Sequence, residues 1–177
     1  MINRRRVLMT LPTSLAVAGW AGRTASARSA SAEAVAPALP PVGSLLRLPT
    51  VKLFDGPAFG SGQADGHVTV VYWWASTCPF CAQQSPEMQK LWMAQRSRGL
   101  SMLALSVDNR PQEAIAYLNR KGYTFPAAWV TPEFQRALPK PKGLPVTVVR
   151  GRDGRVLQAE KGQLFPEDVE QIANWLA

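Results

Sequence analysis

The sequence predicts an α/β domain in which a central mixed sheet is flanked by helices. Three observations carry this. Element signals alternate strand, helix, strand, helix, strand, helix along the chain; His67 to Ala75 is a β-branched and aromatic run with no charge after His67; and a hairpin signal at Gly151-Arg152-Asp153-Gly154 follows the alternating part. Parallel strands joined by crossover helices, then an antiparallel hairpin, specify a mixed sheet.

The elements follow in order. Leu45 to Leu53 alternates loosely and runs into Asp55-Gly56-Pro57 and Gly60-Ser61-Gly62, which reads as an edge strand or hairpin with turns. His67 to Ala75 is the central strand, covered on both faces. It ends at Ser76-Thr77-Cys78-Pro79, where Pro79 suits the first helical position. Cys81, Met88, Leu91, Trp92 and Gln95 then recur at helical spacing up to Gly99, with a kink expected at Pro86. Leu100 to Val107 is a second buried strand. Asp108 or Asn109 is expected to cap the next helix, which Pro111 starts, Ala114, Ile115 and Leu118 face inward, and Gly122 ends. Ala127 to Val130 is a short strand and Pro132 to Leu138 a short helix. Pro145 to Arg150 and Arg155 to Glu160 form the hairpin arms. Pro166 opens a last helix with Glu167 and Asp168 in its first turn and Val169, Ile172, Trp175 and Leu176 on one face.

The chain has 177 residues, 46% apolar and 18% charged, with six Trp, so it can bury a core. No stretch reaches the roughly 20 apolar residues of a bilayer span, and no period of about 20 to 50 residues repeats. Residues 1–27 have the layout of an export signal: Arg4-Arg5-Arg6, an apolar stretch from Val7 to about Ala21, and Ala25-Ser26-Ala27 as a cleavage site. Arg4-Arg5-Arg6-Val7-Leu8 resembles the twin-arginine signature; an ordinary secretory signal and an uncleaved anchor are the alternatives. Each places the domain outside the bacterial cytoplasm, in the periplasm, where disulfide chemistry proceeds. Residues 28–44, rich in Ala, Ser and Pro, read as a flexible linker, and the folded domain as residues 45–177. Without residues 1–27 the formal charge of +8 falls to +4, and the remaining cations are scattered, which argues against nucleic acid.

Only two cysteines occur, Cys78 and Cys81, in Cys-Pro-Phe-Cys. A staple gains stability by closing a long loop, and two intervening residues make a short one. Zinc needs four ligands, whereas the sequence offers two thiols and His67 at the far end of the strand. Reversible dithiol chemistry remains. Cys78 at a helix N-terminus meets unpaired N–H groups and the positive end of the dipole, which favour thiolate, so it reads as the nucleophile. Cys81, one turn further in, is spaced to attack a mixed disulfide on Cys78. Pro79 removes one N–H from that set, and Phe80 adds an apolar contact at the rim.

Trp74-Ala75-Ser76-Thr77-Cys78-Pro79-Phe80-Cys81 resembles the thioredoxin active-site segment, and residues 42–177 are most similar to the exported TlpA/ResA/CcmG-like thiol:disulfide oxidoreductases. The resemblance implies a thioredoxin-like fold with an N-terminal strand or hairpin extension and an inserted helix and strand over about Pro111 to Val130. Gly143-Leu144-Pro145-Val146-Thr147 resembles the family's cis-proline loop. It implies a cis Pro145 against the dithiol and a Leu144 backbone open to an extended partner segment. Trp74 is expected as the wall of the site and Trp73 as core, with Trp92, Trp129 and Trp175 also core. The expected partners are protein thiols or disulfides and a membrane or periplasmic redox donor. No cofactor or metal is implied, and the protein is expected to be a monomer.

Two positions depart from the family. The buried acid six residues before the first Cys is Tyr72 here, and the Glu that often follows the second Cys by three residues is Gln84. Both proton acceptors are missing, which leaves reductase and oxidase directions open. A peroxidase would need Pro and Thr where Val71 and Ala75 stand, and a copper-handling module would need wider Cys spacing and a downstream His. Lys140-Pro141-Lys142 reads as a solvated loop, with steering of an acidic partner as the alternative.

Overall fold

A computed structural model describes residues 37–177; the expected signal, residues 1–27, and the first part of the expected linker lie outside the described residues. Five strands form one sheet in the order β5-β4-β3-β6-β7. They are β3 (Val68–Trp74), β4 (Leu100–Ser106), β5 (Ala127–Trp129), β6 (Val146–Arg150) and β7 (Val156–Lys161). β3, β4 and β5 pair in parallel, whereas β6 runs antiparallel to both β3 and β7. The expected mixed sheet is therefore observed.

All seven residues of β3 are buried, because the strand is central and its two faces serve different cores. Val68, Val70, Tyr72 and Trp74 project into a cluster with Cys81, Met88, Leu91, Tyr117 and Ile172. Val71 and Trp73 project into the other, with Leu48, Leu103, Phe134 and Val148. The period-2 alternation of a strand makes this division.

The N-terminal extension is a two-stranded antiparallel sheet of β1 (Val51–Lys52) and β2 (Ala58–Phe59). A short helix, α1 (Ser61–Ala64), follows where only turns were expected; Ser61 Oγ accepts from Leu48 N at 2.8 Å and ties it down. Residues of the expected linker also make contacts. Gly43 N donates to Val156 O, Val156 N donates to Ser44 O, and Leu39 packs on the second cluster.

The long helix α2 (Pro79–Gln95) continues through Pro86. It buries Cys81, Gln84, Ser85, Met88 and Leu91, and Trp92 is half-buried at the edge of that stripe. A 3-10 turn at Arg96–Arg98 ends at Gly99 with φ of 92°, a conformation that suits a residue without Cβ. Helix α3 (Pro111–Lys121) starts at its proline as expected, but neither Asp108 nor Asn109 caps it. Its N-cap is Arg110, with no side-chain cap bond, because the Asp108 carboxylate is engaged elsewhere. Thr131 caps α4 (Pro132–Ala137) through Phe134 N.

The β6–β7 turn closes through Gly151 N to Arg155 O (2.7 Å) and Gly154 N to Gly151 O (3.0 Å). Gly154 has φ of 84°, and a Cβ there would lie 2.8 Å from the Arg150 guanidinium, so both backbone and space demand glycine. The last helix is shorter than expected: α5 (Pro166–Gln171) passes into a 3-10 turn at Ile172–Leu176. Val169, Ile172 and Leu176 are buried, but Trp175 is not core. It is exposed beside the edge strand β7, its indole N–H donating to Gln158 Oε1 at 3.4 Å.

Candidate active site

β3 delivers the chain to the end of the sheet, and Cys78 N donates to Ala75 O in the turn that follows. Cys78 is the N-cap of α2, with Pro79 first in the helix. Its Sγ accepts the Cys81 backbone N–H at 3.1 Å, an arrangement in which sulfur takes the place of a capping oxygen. The two cysteines are joined in a disulfide with Cα atoms 5.2 Å apart. Cys78 is half-buried and Cys81 is 1% exposed, so Cys78 is the more accessible of the two.

Pro79 and Phe80 form an exposed rim, with Phe80 55% exposed. Leu144–Pro145 is a cis peptide, as expected. Val146 of β6 pairs with Trp73, so the antiparallel register places Leu144–Pro145 at the sheet end from which Cys78 emerges. Pro145 is buried and Leu144 is half-buried against both core clusters. Trp74 differs from its expected place as a wall of the groove. It has no exposed surface, and its ring lies 5.5 Å from that of Tyr117, because inward alternation along β3 sends it behind the dithiol with Cys81.

The two departures from the family's acids have clear partners. Tyr72 O–H reaches Ser85 Oγ at 3.0 Å and Cys81 O at 3.4 Å. Burial pushes its phenol well above the ordinary 10.0, so Tyr72 does not act as a base near neutrality. Gln84 is fully buried: its amide donates to Thr147 Oγ1 at 2.9 Å and its carbonyl accepts from Leu164 N at 2.8 Å. It braces α2 against the strand that follows Pro145.

The Tyr72 burial has a measurable consequence. Above its ordinary value the unfolded chain loses this proton while the folded chain keeps it. The stabilisation is thus full below about pH 10 and falls as pH rises through the folded value. Tyr72→Phe is expected to shallow the loss of stability above about pH 10, followed by chemical unfolding at several pH values. Tyr117 and Tyr123, also shifted up by burial, leave a residual slope.

Asp108, expected with Asn109 as a candidate cap of α3, turns its side chain to the active-site turn instead. Its carboxylate accepts from Ser76 N (2.9 Å), Ser76 Oγ (2.7 Å) and Ser106 Oγ (2.7 Å). Its carbonyl accepts from the Trp129 indole at 2.7 Å, which gives that half-buried ring a partner. A capping acid and an acid turned back toward the preceding strand look alike in sequence. Lys140 is held by its own loop, donating to Pro141 O (2.6 Å) and Gly143 O (2.9 Å), and its partial burial lowers its pKa. Among the described residues no group of three or more His, Cys, Asp or Glu could hold a metal, and no helix is long and apolar enough to cross a membrane.

The Redoxin family matches residues 41–176, which is the whole of the fold around this dithiol. The chain belongs to the Redoxin family. As a Redoxin-family chain with its Cys-x-x-Cys pair bonded at a helix N-terminus, it is a thiol:disulfide oxidoreductase. No protein of curated function matches it. Its fold is similar to that of a thiol:disulfide interchange protein, thioredoxin family protein, from Chlorobium tepidum, with a TM-score of 0.70 and 23% identity over 78% of this chain and 99% of that one. It is also similar to a putative thiol:disulfide interchange protein DsbE from the same organism, at 0.68 and 23% over 77% and 99%. StoA from Bacillus subtilis scores 0.62 with 18% identity, over 78% of this chain and all of that one.

Proposed function

We propose that this Redoxin-family protein is an exported reductase of protein disulfides, with Cys78 as nucleophile, Cys81 as resolving thiol and Leu144–Pro145 as the partner-positioning loop. The observation that carries the reading is the Cys81 N–H donated to Cys78 Sγ while Cys81 itself is buried. In the dithiol form that donor faces a thiolate, and charge-assisted hydrogen bonds are the stronger ones. The free N–H of Phe80, second in the helix, and the helix dipole act in the same direction.

The Cys78 thiolate attacks one sulfur of a partner disulfide. A Cys78–partner bond forms, the partner's S–S bond breaks, and the other partner sulfur leaves as thiolate and takes a proton from water. Cys81 then loses its proton and attacks Cys78 Sγ. The mixed bond breaks, the second partner thiol departs, and two electrons have passed to the partner. Neither Tyr72 nor Gln84 accepts the Cys81 proton, so water or hydroxide takes it. Phe80 offers apolar contact, and the Leu144 backbone offers strand-like pairing to an extended segment.

The cycle closes when a dithiol donor of the membrane or the periplasm reduces the Cys78–Cys81 bond. The charge and cleavage pattern of residues 1–27 supports export, and the domain is proposed to act as a monomer. Equilibration with glutathione tests the direction. A potential near roughly −270 mV, with insulin reduction by the dithiol form, is expected of a reductant; a potential near roughly −120 mV and no insulin reduction would replace it with an oxidant.

A further inference from the structure

We propose that Asp108 is the positioning residue that sets how readily Cys78 ionises, and thereby biases the pair toward the disulfide. The inference rests on the Cys78 chemistry proposed above and adds a residue to it. Three observations combine. The carboxylate is buried, at 7% exposed, and its bonds at Ser76 hold the residue two places before Cys78. Ser76 lies within the turn closed by Cys78 N to Ala75 O, so Asp108 fixes the turn that aims Cys78 at the start of α2. Its hydrogen-bond donors, Ser76 N, Ser76 Oγ and Ser106 Oγ, are all neutral, and no salt bridge among the described residues involves it.

A negative charge that is satisfied by dipoles and not cancelled by a cation keeps a field in its surroundings, and a low-dielectric interior screens that field weakly. The field opposes a thiolate at Cys78 and leaves a neutral disulfide untouched. Asp108 thus acts against the Cys81 N–H and the helix dipole. The two opposed inputs arise from different elements, since the donor comes with helix α2 and the carboxylate with the segment just after β4. Exchange with glutathione reads the balance. Cys78 thiolate attacks glutathione disulfide and one glutathione thiolate leaves. Cys81 then gives its proton to water and attacks, a second glutathione leaves, and two electrons move from the pair to glutathione.

Asp108→Asn removes the charge and keeps an oxygen toward Ser76, while the Ser106 hydroxyl can rotate to accept from the new amide. The expected result is at least a threefold rise in the acid dissociation constant of Cys78, that is, a lower titration midpoint, read as more thiolate by ultraviolet titration of the reduced protein. At least a threefold shift of the glutathione equilibrium toward dithiol accompanies it. Ser106→Ala has the opposite expected sign: it withdraws one donor from the carboxylate, leaves more of its charge unscreened and makes the thiolate scarcer. It also serves if Asp108→Asn does not fold. Ser76→Ala likewise keeps the charge and withdraws one donor at 2.7 Å, so it is expected to move the titration in the same direction as Ser106→Ala. A purely structural Asp108 would lower the melting temperature in the Asn variant and leave titration and equilibrium within twofold of the parent, which overturns the inference. Equal direction in Asp108→Asn and Ser106→Ala overturns it as well. These readouts need no protein substrate, so failure to reduce insulin would count against the proposed function alone.

Discussion

Replacing Cys81 with serine is expected to stop the exchange half-way and to trap a covalent complex between Cys78 and its partner. The geometry gives the reason. Cys81 is buried beneath Cys78 and reaches only that sulfur, so its removal leaves the first attack intact and abolishes the release. Cys78→Ser removes the attacking thiolate, and insulin reduction is expected to fall by at least about a thousandfold, in line with losses on removal of a catalytic nucleophile. Non-reducing electrophoresis with a disulfide-containing substrate checks both: an adduct with Cys81→Ser, none with Cys78→Ser. An adduct formed by Cys78→Ser would reverse the assignment of attacking and resolving thiols.

Trp74→Ala carries the largest expected effect on stability. The ring is fully buried between Cys81 and Tyr117, and truncation of a large aromatic core residue costs about 3–5 kcal/mol. Against an ordinary domain stability of about 5–15 kcal/mol this is a large share, equivalent to roughly 10 °C or more in melting temperature. Trp74→Phe is expected to cost much less, because it keeps most of the apolar volume and removes an indole N–H that has no hydrogen-bond partner. Calorimetry measures both. An alanine variant with the parent's melting temperature and weakened partner reduction would return Trp74 to the groove wall.

Between them, the two experiments separate the residues that react from the residues that hold them. Asp108, Gln84 and Tyr72 belong to the second group. They face the active-site turn, the underside of α2 and the backbone of Cys81, and each is buried. Such residues hold the turn, the helix and the buried cysteine's backbone in place.

The elements around the site were readable in residue order. The uncharged run of β3, the proline at the start of α2, α3, α4 and α5, and the Gly-Arg-Asp-Gly turn each act over a few residues, so the local pattern specifies them. The same holds for Cys78 and Cys81, whose spacing and position at a strand-to-helix junction define the reacting pair. Elements governed by distant partners were not readable. Helix α1 depends on a bond from Leu48 N to Ser61 Oγ, thirteen residues away, and Trp175 is left uncovered because β7 is the sheet's edge.

The chain's local order by itself determined a mixed α/β sheet with a Cys-x-x-Cys dithiol at a helix start, because hydrophobic period, proline position and thiol spacing are short-range properties. Only the tertiary structure decided which side of β3 Trp74 occupies, that Asp108 turns back to Ser76 in place of capping α3, and that Gln84 spans to Thr147 and Leu164. Those outcomes depend on which buried polar group finds a partner across the fold. Burial makes an unpaired polar group costly, and the partner that relieves it lies tens of residues away.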